Sequence, residues 1–117
     1  MNSEECIFCR IAKGEIPSQK ILETKNFISI KDVNPKVSGH SLIIPKEHYE
    51  TFLDIPVSLY KEFLKIIRKI SEKLMQEEHA QGFNLIMNNS EIAGQKIPHA
   101  HMHILPRKKG DGFGTNV

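Results

Sequence analysis

Between Leu59 and Leu74 the apolar residues Leu59, Phe63, Ile66, Ile67, Ile70 and Leu74 recur at helical spacing and predict one long amphipathic helix. Lys61, Lys65, Lys69 and Lys73 step by four along another face, which reads as solvated surface rather than a phosphate-binding stripe. Asp54 is placed to cap this helix, with Pro56 near its first turn. A shorter helix is predicted from Cys6 to Ala12, with Ile7, Phe8 and Ile11 on its apolar face and Gly14 as its stop. Elsewhere the pattern is that of strands. Lys20–Thr24 and Phe27–Lys31 read as two strands joined by a tight Lys25-Asn26 hairpin. The apolar run Ser41–Pro45 reads as a buried strand that ends at proline. Phe83–Asn88 reads as a strand closed by Asn88, and Ile97–Leu105 as another. Turn chemistry fills 32–39, Asn89–Lys96 is a polar loop, and the glycine-bearing end from Lys108 to Val117 is a loop or tail. Strands close in sequence pair most easily as antiparallel neighbours. The expectation is an α+β chain, one domain over 1–117, with the long helix covering one face of the sheet.

The last predicted strand carries an unusual alternation, His99-Ala100-His101-Met102-His103-Ile104. On a strand the three histidines share one face, and Ala100, Met102 and Ile104 share the other. Three adjacent imidazoles are a poor structural choice, because each needs hydrogen-bond partners when buried and each titrates near neutrality. Chemistry explains them better. A neutral imidazole is a competent nucleophile. Attack on phosphorus also needs a hold on the non-bridging oxygens, a hold on the substrate body and a proton for the leaving group. Asn88 and Gly94-Gln95 suit phosphate oxygens, and Asp32 suits ribose hydroxyls. Each has a plain alternative: Asn88 ends a strand, Gly94 serves a turn, Asp32 starts an Asx-turn. A zinc hydrolase with the three histidines as ligands is a rival reading. It lacks an Asp or Glu within the motif to act as base.

Composition narrows the classes. Of 117 residues 39% are apolar and 26% charged, and the formal charge is +2, too small to argue for nucleic acid or an anionic membrane. There is no apolar run long enough for a membrane span, and no signal-peptide segment behind the polar start Met1–Glu5, so the expected location is the cytoplasm. In a reducing compartment Cys6-x-x-Cys9 suggests a metal or a redox pair rather than a disulfide. No strand precedes Cys6, which ranks redox below metal. Two cysteines are soft ligands at zinc spacing, and histidines are available to complete a tetrahedron.

The run from His99 to Leu105 matches His-φ-His-φ-His-φ-φ, with φ apolar, and lies downstream of an Asn-…-Gly-Gln loop and an Asp-…-Gly-His segment. In these features the chain resembles the histidine triad proteins, in the zinc-bearing bacterial-type subset of the nucleotide-binding phosphoramidases, from Cys6 to about Phe113. The resemblance implies a five-stranded antiparallel sheet with one long and one short helix, and a homodimer. It implies hydrolysis of purine nucleoside 5′-phosphoramidates, adenosine foremost, through a nucleotidyl-histidine formed on His101. His103 would hold phosphate oxygens, and His40 matches a fourth active-site histidine. Phe8, Ile11 and Val33 match positions around the base, Asp32 the ribose position, and Asn88, Gly94 and Gln95 the phosphate site. Lys96 stands where a serine is common near the leaving group. One structural zinc per chain is implied on Cys6, Cys9, His48 and His99, with no open position for water. Cleavage of dinucleoside polyphosphates by the same mechanism, and a nucleotide-binding regulatory or scaffold module, are the competing functions.

Overall fold

The computed structural model describes residues 5–114; residues 1–4 and 115–117, the ends of the predicted polar start and of the predicted tail, lie outside the described residues. Helix α1 spans Ile7–Ala12, capped by the Cys6 side chain, and Gly14 follows it with φ 78°. Strands β1 (Lys20–Glu23), β2 (Phe27–Lys31) and β3 (Ser41–Pro45) follow, then helix α2 (Tyr60–Glu77), β4 (Gly82–Ile86) and β5 (Met102–Arg107). The strands form one antiparallel sheet in the order β1-β2-β3-β5-β4. No described helix is long and apolar enough to cross a membrane.

The sheet is covered on both faces. Phe27, Ile43 and Ile104 lie under α2, packed against Phe63, Ile66, Ile67, Ile70 and Leu74. Ile28, Ile30, Leu42 and Ile44 lie under α1, packed against Cys6, Phe8, Cys9 and Ile11. Every side chain of β3 is therefore buried, which is why its sequence is apolar without alternation. The α2 face is the expected one, and Lys61, Lys65, Lys69 and Lys73 are solvent-exposed. Glu62 anchors the β1–β2 hairpin to this helix, accepting from Thr24 Oγ1, the Asn26 N–H and Asn26 Nδ2 at 2.6–2.7 Å.

Several boundaries differ from expectation. Asp54 does not cap the long helix. Its carboxylate closes a capping box with Thr51 on a separate 3₁₀ turn, Phe52–Asp54. Pro56 forces Ile55 out of helical space, and a second 3₁₀ turn intervenes before α2 starts at Tyr60. β4 ends at Ile86, so Asn88 stands beyond the ladder. β5 begins only at Met102, because Pro98 removes a donor and the main chain before it bonds elsewhere. The His99 N–H goes to the Ile97 carbonyl and the Ala100 N–H to the Tyr49 carbonyl. The alternation survives without the ladder: Ala100, Met102 and Ile104 pack toward α2, while His99, His101 and His103 face the other way. The last described stretch, Lys108 to Gly114, folds back on Arg107, whose guanidinium bonds Asp111 and Asn84.

Ile70 has no solvent exposure and sits mid-face on α2. Ile70→Ala is expected to lower the unfolding free energy by about 2–5 kcal/mol through lost burial and a residual cavity. The urea midpoint should fall with the m-value unchanged, whereas Lys65→Ala should shift stability by less than about 0.5 kcal/mol.

Candidate functional site

On the α1 face the sheet opens into a cleft of about 730 Å³, walled by α1, the 32–40 loop and the 88–97 loop. His40, His101 and His103 line it, with Phe8, Ile11, Asp32, Val33, Asn88, Gly94 and Lys96. Ile16, Ile30, Leu42 and Ile97 extend its apolar wall. The register explains part of this: β3 and β5 set Leu42 opposite His103, so an apolar side chain flanks that imidazole. Val33 reaches the rim and is 89% exposed. Gln95 is the exception among the expected residues: it is buried and its amide is spent on the Ser90 N–H and the Glu50 carbonyl.

The hydrogen bonds assign a tautomer to each histidine of the cleft. His101 Nδ1 lies 2.8 Å from the His99 carbonyl, so Nδ1 carries the proton and Nε2 keeps its lone pair. The Phe8 ring meets the His101 ring edge-on, with centroids 5.1 Å apart. His40 Nδ1 accepts the Lys36 N–H at 3.0 Å, so the His40 proton is on Nε2. That Nε2–H faces His103 Nδ1 at 2.9 Å and Asp32 Oδ2 at 3.3 Å. His103 therefore accepts at Nδ1 and carries its own proton on Nε2. Asp32, His40 and His103 converge closely enough to suggest a cation. A cation there needs two lone pairs where the two imidazoles share a proton, so the trio is a hydrogen-bond relay. Asp32 Oδ1 also accepts the Asn34 N–H at 2.8 Å, the Asx-turn its sequence allows.

All three cleft imidazoles are held neutral. Burial lowers the pKa of His101 and of His40, and outweighs the Asp32 charge beside His40. Burial, then repulsion from His101 and His40, brings His103 down to about 4.

Behind the cleft lies a second cluster. Cys6 Sγ and Cys9 Sγ stand 3.2 and 3.4 Å from His99 Nδ1, and His48 Nδ1 stands 3.2 Å from both Cys9 Sγ and His99 Nδ1. His99 Nε2–H donates to the Pro45 carbonyl at 2.8 Å, which turns the Nδ1 lone pair toward the sulfurs. Tetrahedral zinc, at about 2.3 Å from sulfur and 2.1 Å from nitrogen, needs donor–donor edges of roughly 3.4–3.8 Å. The observed spacing fits with a slight expansion. The set also carries the usual outer support, a ligand histidine oriented by a carbonyl. Both cysteines are unpaired thiols, and burial followed by the neighbouring Cys6 pushes Cys9 up to about 11, so a metal must displace its proton.

The HIT domain family matches residues 13–110. The chain belongs to this family. It is 39% identical over 116 residues to the adenosine 5′-monophosphoramidase HNT1 of Candida albicans, covering 96% of this chain and 76% of that protein. The crystal structure of a HIT family protein from Bacillus subtilis superposes with a TM-score of 0.90 at 40% identity, over 97% of this chain and 81% of the other. A zinc-bound histidine triad family protein from Mycobacterium smegmatis superposes at 0.88 with 33% identity, over 97% and 82%.

The HIT fold thus brings together most of the residues that the sequence singled out. What sequence reading missed are main-chain groups: the Pro45, Tyr49 and Glu50 carbonyls and the Lys36 N–H. No residue type announces a carbonyl's direction. The neutral histidines give a pH prediction. His103 falls to about 4 from an ordinary 6.5, so between those values the unfolded chain binds more protons than the folded one. Stability is therefore full above about 6.5 and is lost as pH falls toward 4. His103→Asn should flatten that part of the stability–pH curve in urea titrations; an unchanged slope would contradict a half-buried, neutral His103.

Proposed function

We propose that the cleft hydrolyses purine nucleoside 5′-phosphoramidates, adenosine foremost, by two-step transfer through His101. The observation that carries this reading is the His101 tautomer. Its Nδ1–H is committed to the His99 carbonyl, which leaves an unprotonated Nε2 on the cleft wall. Nε2 attacks the α-phosphorus, the P–N bond breaks, and the leaving nitrogen takes a proton as the amine departs. Water then attacks the nucleotidyl-histidine and releases the nucleoside monophosphate, and the imidazole is restored. The His103 Nε2–H is suited to a non-bridging oxygen, with His40 fixing that tautomer. The Asn88 amide offers further donors on the same wall, beside Gly94, whose own N–H is spent on the Glu91 carbonyl at 2.9 Å. Phe8, Ile11 and Val33 offer an apolar surface to the base, and Asp32 has acceptor capacity left for ribose. The relative from Candida albicans, named an adenosine 5′-monophosphoramidase, supports this substrate class.

Lys96 is exposed on the cleft wall and is a proton donor or anion partner for the leaving group. Lys36 lines the same cleft, and together they favour a second reading, cleavage of dinucleoside polyphosphates by the same histidine. In this reading the leaving group is itself an anion.

Zinc is the ion we assign to Cys6, Cys9, His48 and His99, one per chain. Bound there it would balance the thiolate charge and tie α1 to the residue two before the nucleophile. It would supply no catalytic position, since four protein ligands fill the tetrahedron. We also assign the chain to a homodimer. β4 is an unpaired sheet edge, and Phe83 and Leu85 on it stay about half exposed beside Leu64 of α2.

Adenosine 5′-phosphoramidate should be turned over by the wild type and not by His101→Ala, with AMP binding retained in the variant. Equal activity of the two proteins would eliminate His101 as nucleophile. An inactive wild type that cleaves a diadenosine polyphosphate would select the second reading. Metal analysis of the purified protein should find about one zinc per chain, lost in Cys6→Ser/Cys9→Ser. Wild type without zinc after mild handling would remove the assignment.

A further inference from the structure

Ser90 has φ 78° and ψ 153°, a backbone region that glycine enters freely and a Cβ obstructs. An L-residue stays there only where its surroundings over-determine it. Here part of the restraint comes from one side chain. Gln95 Oε1 accepts the Ser90 N–H at 2.6 Å, and Gln95 Nε2 donates to the Glu50 carbonyl at 2.7 Å. Main-chain bonds close the same loop, from the Ala93 and Gln95 N–H groups to the Ser90 carbonyl at 3.0 and 3.1 Å.

Gln95 itself is buried and lies off the cleft wall. Besides Lys96 and Ile97, the loop offers the cleft Asn88 and Gly94, on either side of Ser90. The two are close: a Cβ built on Gly94 would stand 3.4 Å from Asn88 Nδ2. The Asn88 amide makes no hydrogen bond to the described residues, so its donors are unspent.

We propose that Gln95 is a positioning residue for the reaction. It holds Ser90 in a glycine-type conformation, and so keeps the Asn88 amide at the substrate phosphate, with Gly94 packed beside it. It acts through the loop and not by touching substrate. The substrate assignment rests on the hydrolase reading above; the clamp itself does not.

The test is a double-mutant cycle of Gln95→Ala and Ser90→Gly, read by activity, AMP affinity and urea denaturation. With Ser90 present, Gln95→Ala frees the loop to relax. kcat/KM on adenosine 5′-phosphoramidate should then fall by roughly tenfold or more, as for other misplaced substrate-positioning groups. In the Ser90→Gly background the conformation is unstrained, and the same change should cost less than about threefold, a coupling expected of residues that share one structural element. The stability coupling should have the opposite sign. Gln95→Ala should lower the urea midpoint more in the Ser90→Gly background than with Ser90 present, because no strain is released to offset the lost bonds. Glycine's larger unfolded-state entropy is common to both proteins that carry Ser90→Gly and cancels.

Equal losses of kcat/KM in the two backgrounds would overturn the proposal and assign Gln95 to the substrate directly. Equal midpoint shifts would overturn it by showing that Ser90 stores no strain. A wild type inactive on the phosphoramidate would overturn the hydrolase reading alone. The cycle would then be read in AMP affinity and midpoints, with the same pattern expected.

Discussion

His99 is the constraint on which the other parts depend. It is fully buried, and each of its polar atoms is committed to a different part of the chain. Nε2–H reaches the Pro45 carbonyl at the end of β3, Nδ1 faces His48, Cys9 of α1 and its cap Cys6, and the carbonyl accepts the His101 proton. A buried donor or acceptor left unmet costs about 1–3 kcal/mol, so these bonds restrict one another. Rotating the ring to suit one partner abandons another. The ring fixes the approach of α1, while the main chain fixes the neighbouring imidazole. The side chain therefore couples packing to chemistry at one residue.

Orientation in the cleft comes mostly from groups that cannot titrate. The His99 carbonyl sets His101, and the Lys36 N–H sets His40, which in turn sets His103. A carboxylate in either place would also stabilise the imidazolium, raise its pKa and spend the lone pair that a nucleophile needs. Asp32 is close enough to His40 to exert that pull, and burial exceeds it. The dry wall of Phe8, Ile11, Ile30 and Leu42 thus has an electrostatic effect as well as a packing one. It lowers the cost of a neutral imidazole relative to a charged one.

What the sequence disclosed follows the range of the force involved. α2 is legible because burial against one sheet face imposes a period on eighteen residues, and Ile70 or Leu74 can lie on no other face. The triad's alternation is legible for the same reason, and it outlasts the loss of regular strand pairing at Pro98. Asp54 misleads because a good cap suits any nearby helical turn, and the 3₁₀ turn beginning at Phe52 comes first. Gln95 is ambiguous because an amide beside a glycine suits a phosphate as well as a main-chain clamp. Which it meets depends on the Glu50 carbonyl, 45 residues earlier in the chain. Ser90 gave no signal at all, since a left-handed serine is invisible without coordinates.

The irregular stretch after β3 resolves these ambiguities. Between Pro45, the last residue of β3, and Phe52, the first of the 3₁₀ turn, it has no repeating structure, yet with these two ends it meets the site at successive points. The Pro45 carbonyl takes the His99 ring and His48 joins the cysteine cluster. The Tyr49 carbonyl takes the Ala100 N–H, and the Glu50 carbonyl takes Gln95. The Phe52 N–H is held by Asn89 Oδ1 at 2.7 Å. A regular strand would spend these groups on a ladder neighbour. An irregular one leaves them free to orient a ring, a main-chain turn and a clamp in sequence. Precision at the cleft thus comes from a segment whose order depends on the elements it positions. The Cys6–Cys9–His48–His99 cluster is where that dependence is tightest, since His48 and His99 meet there from the two segments that everything else connects.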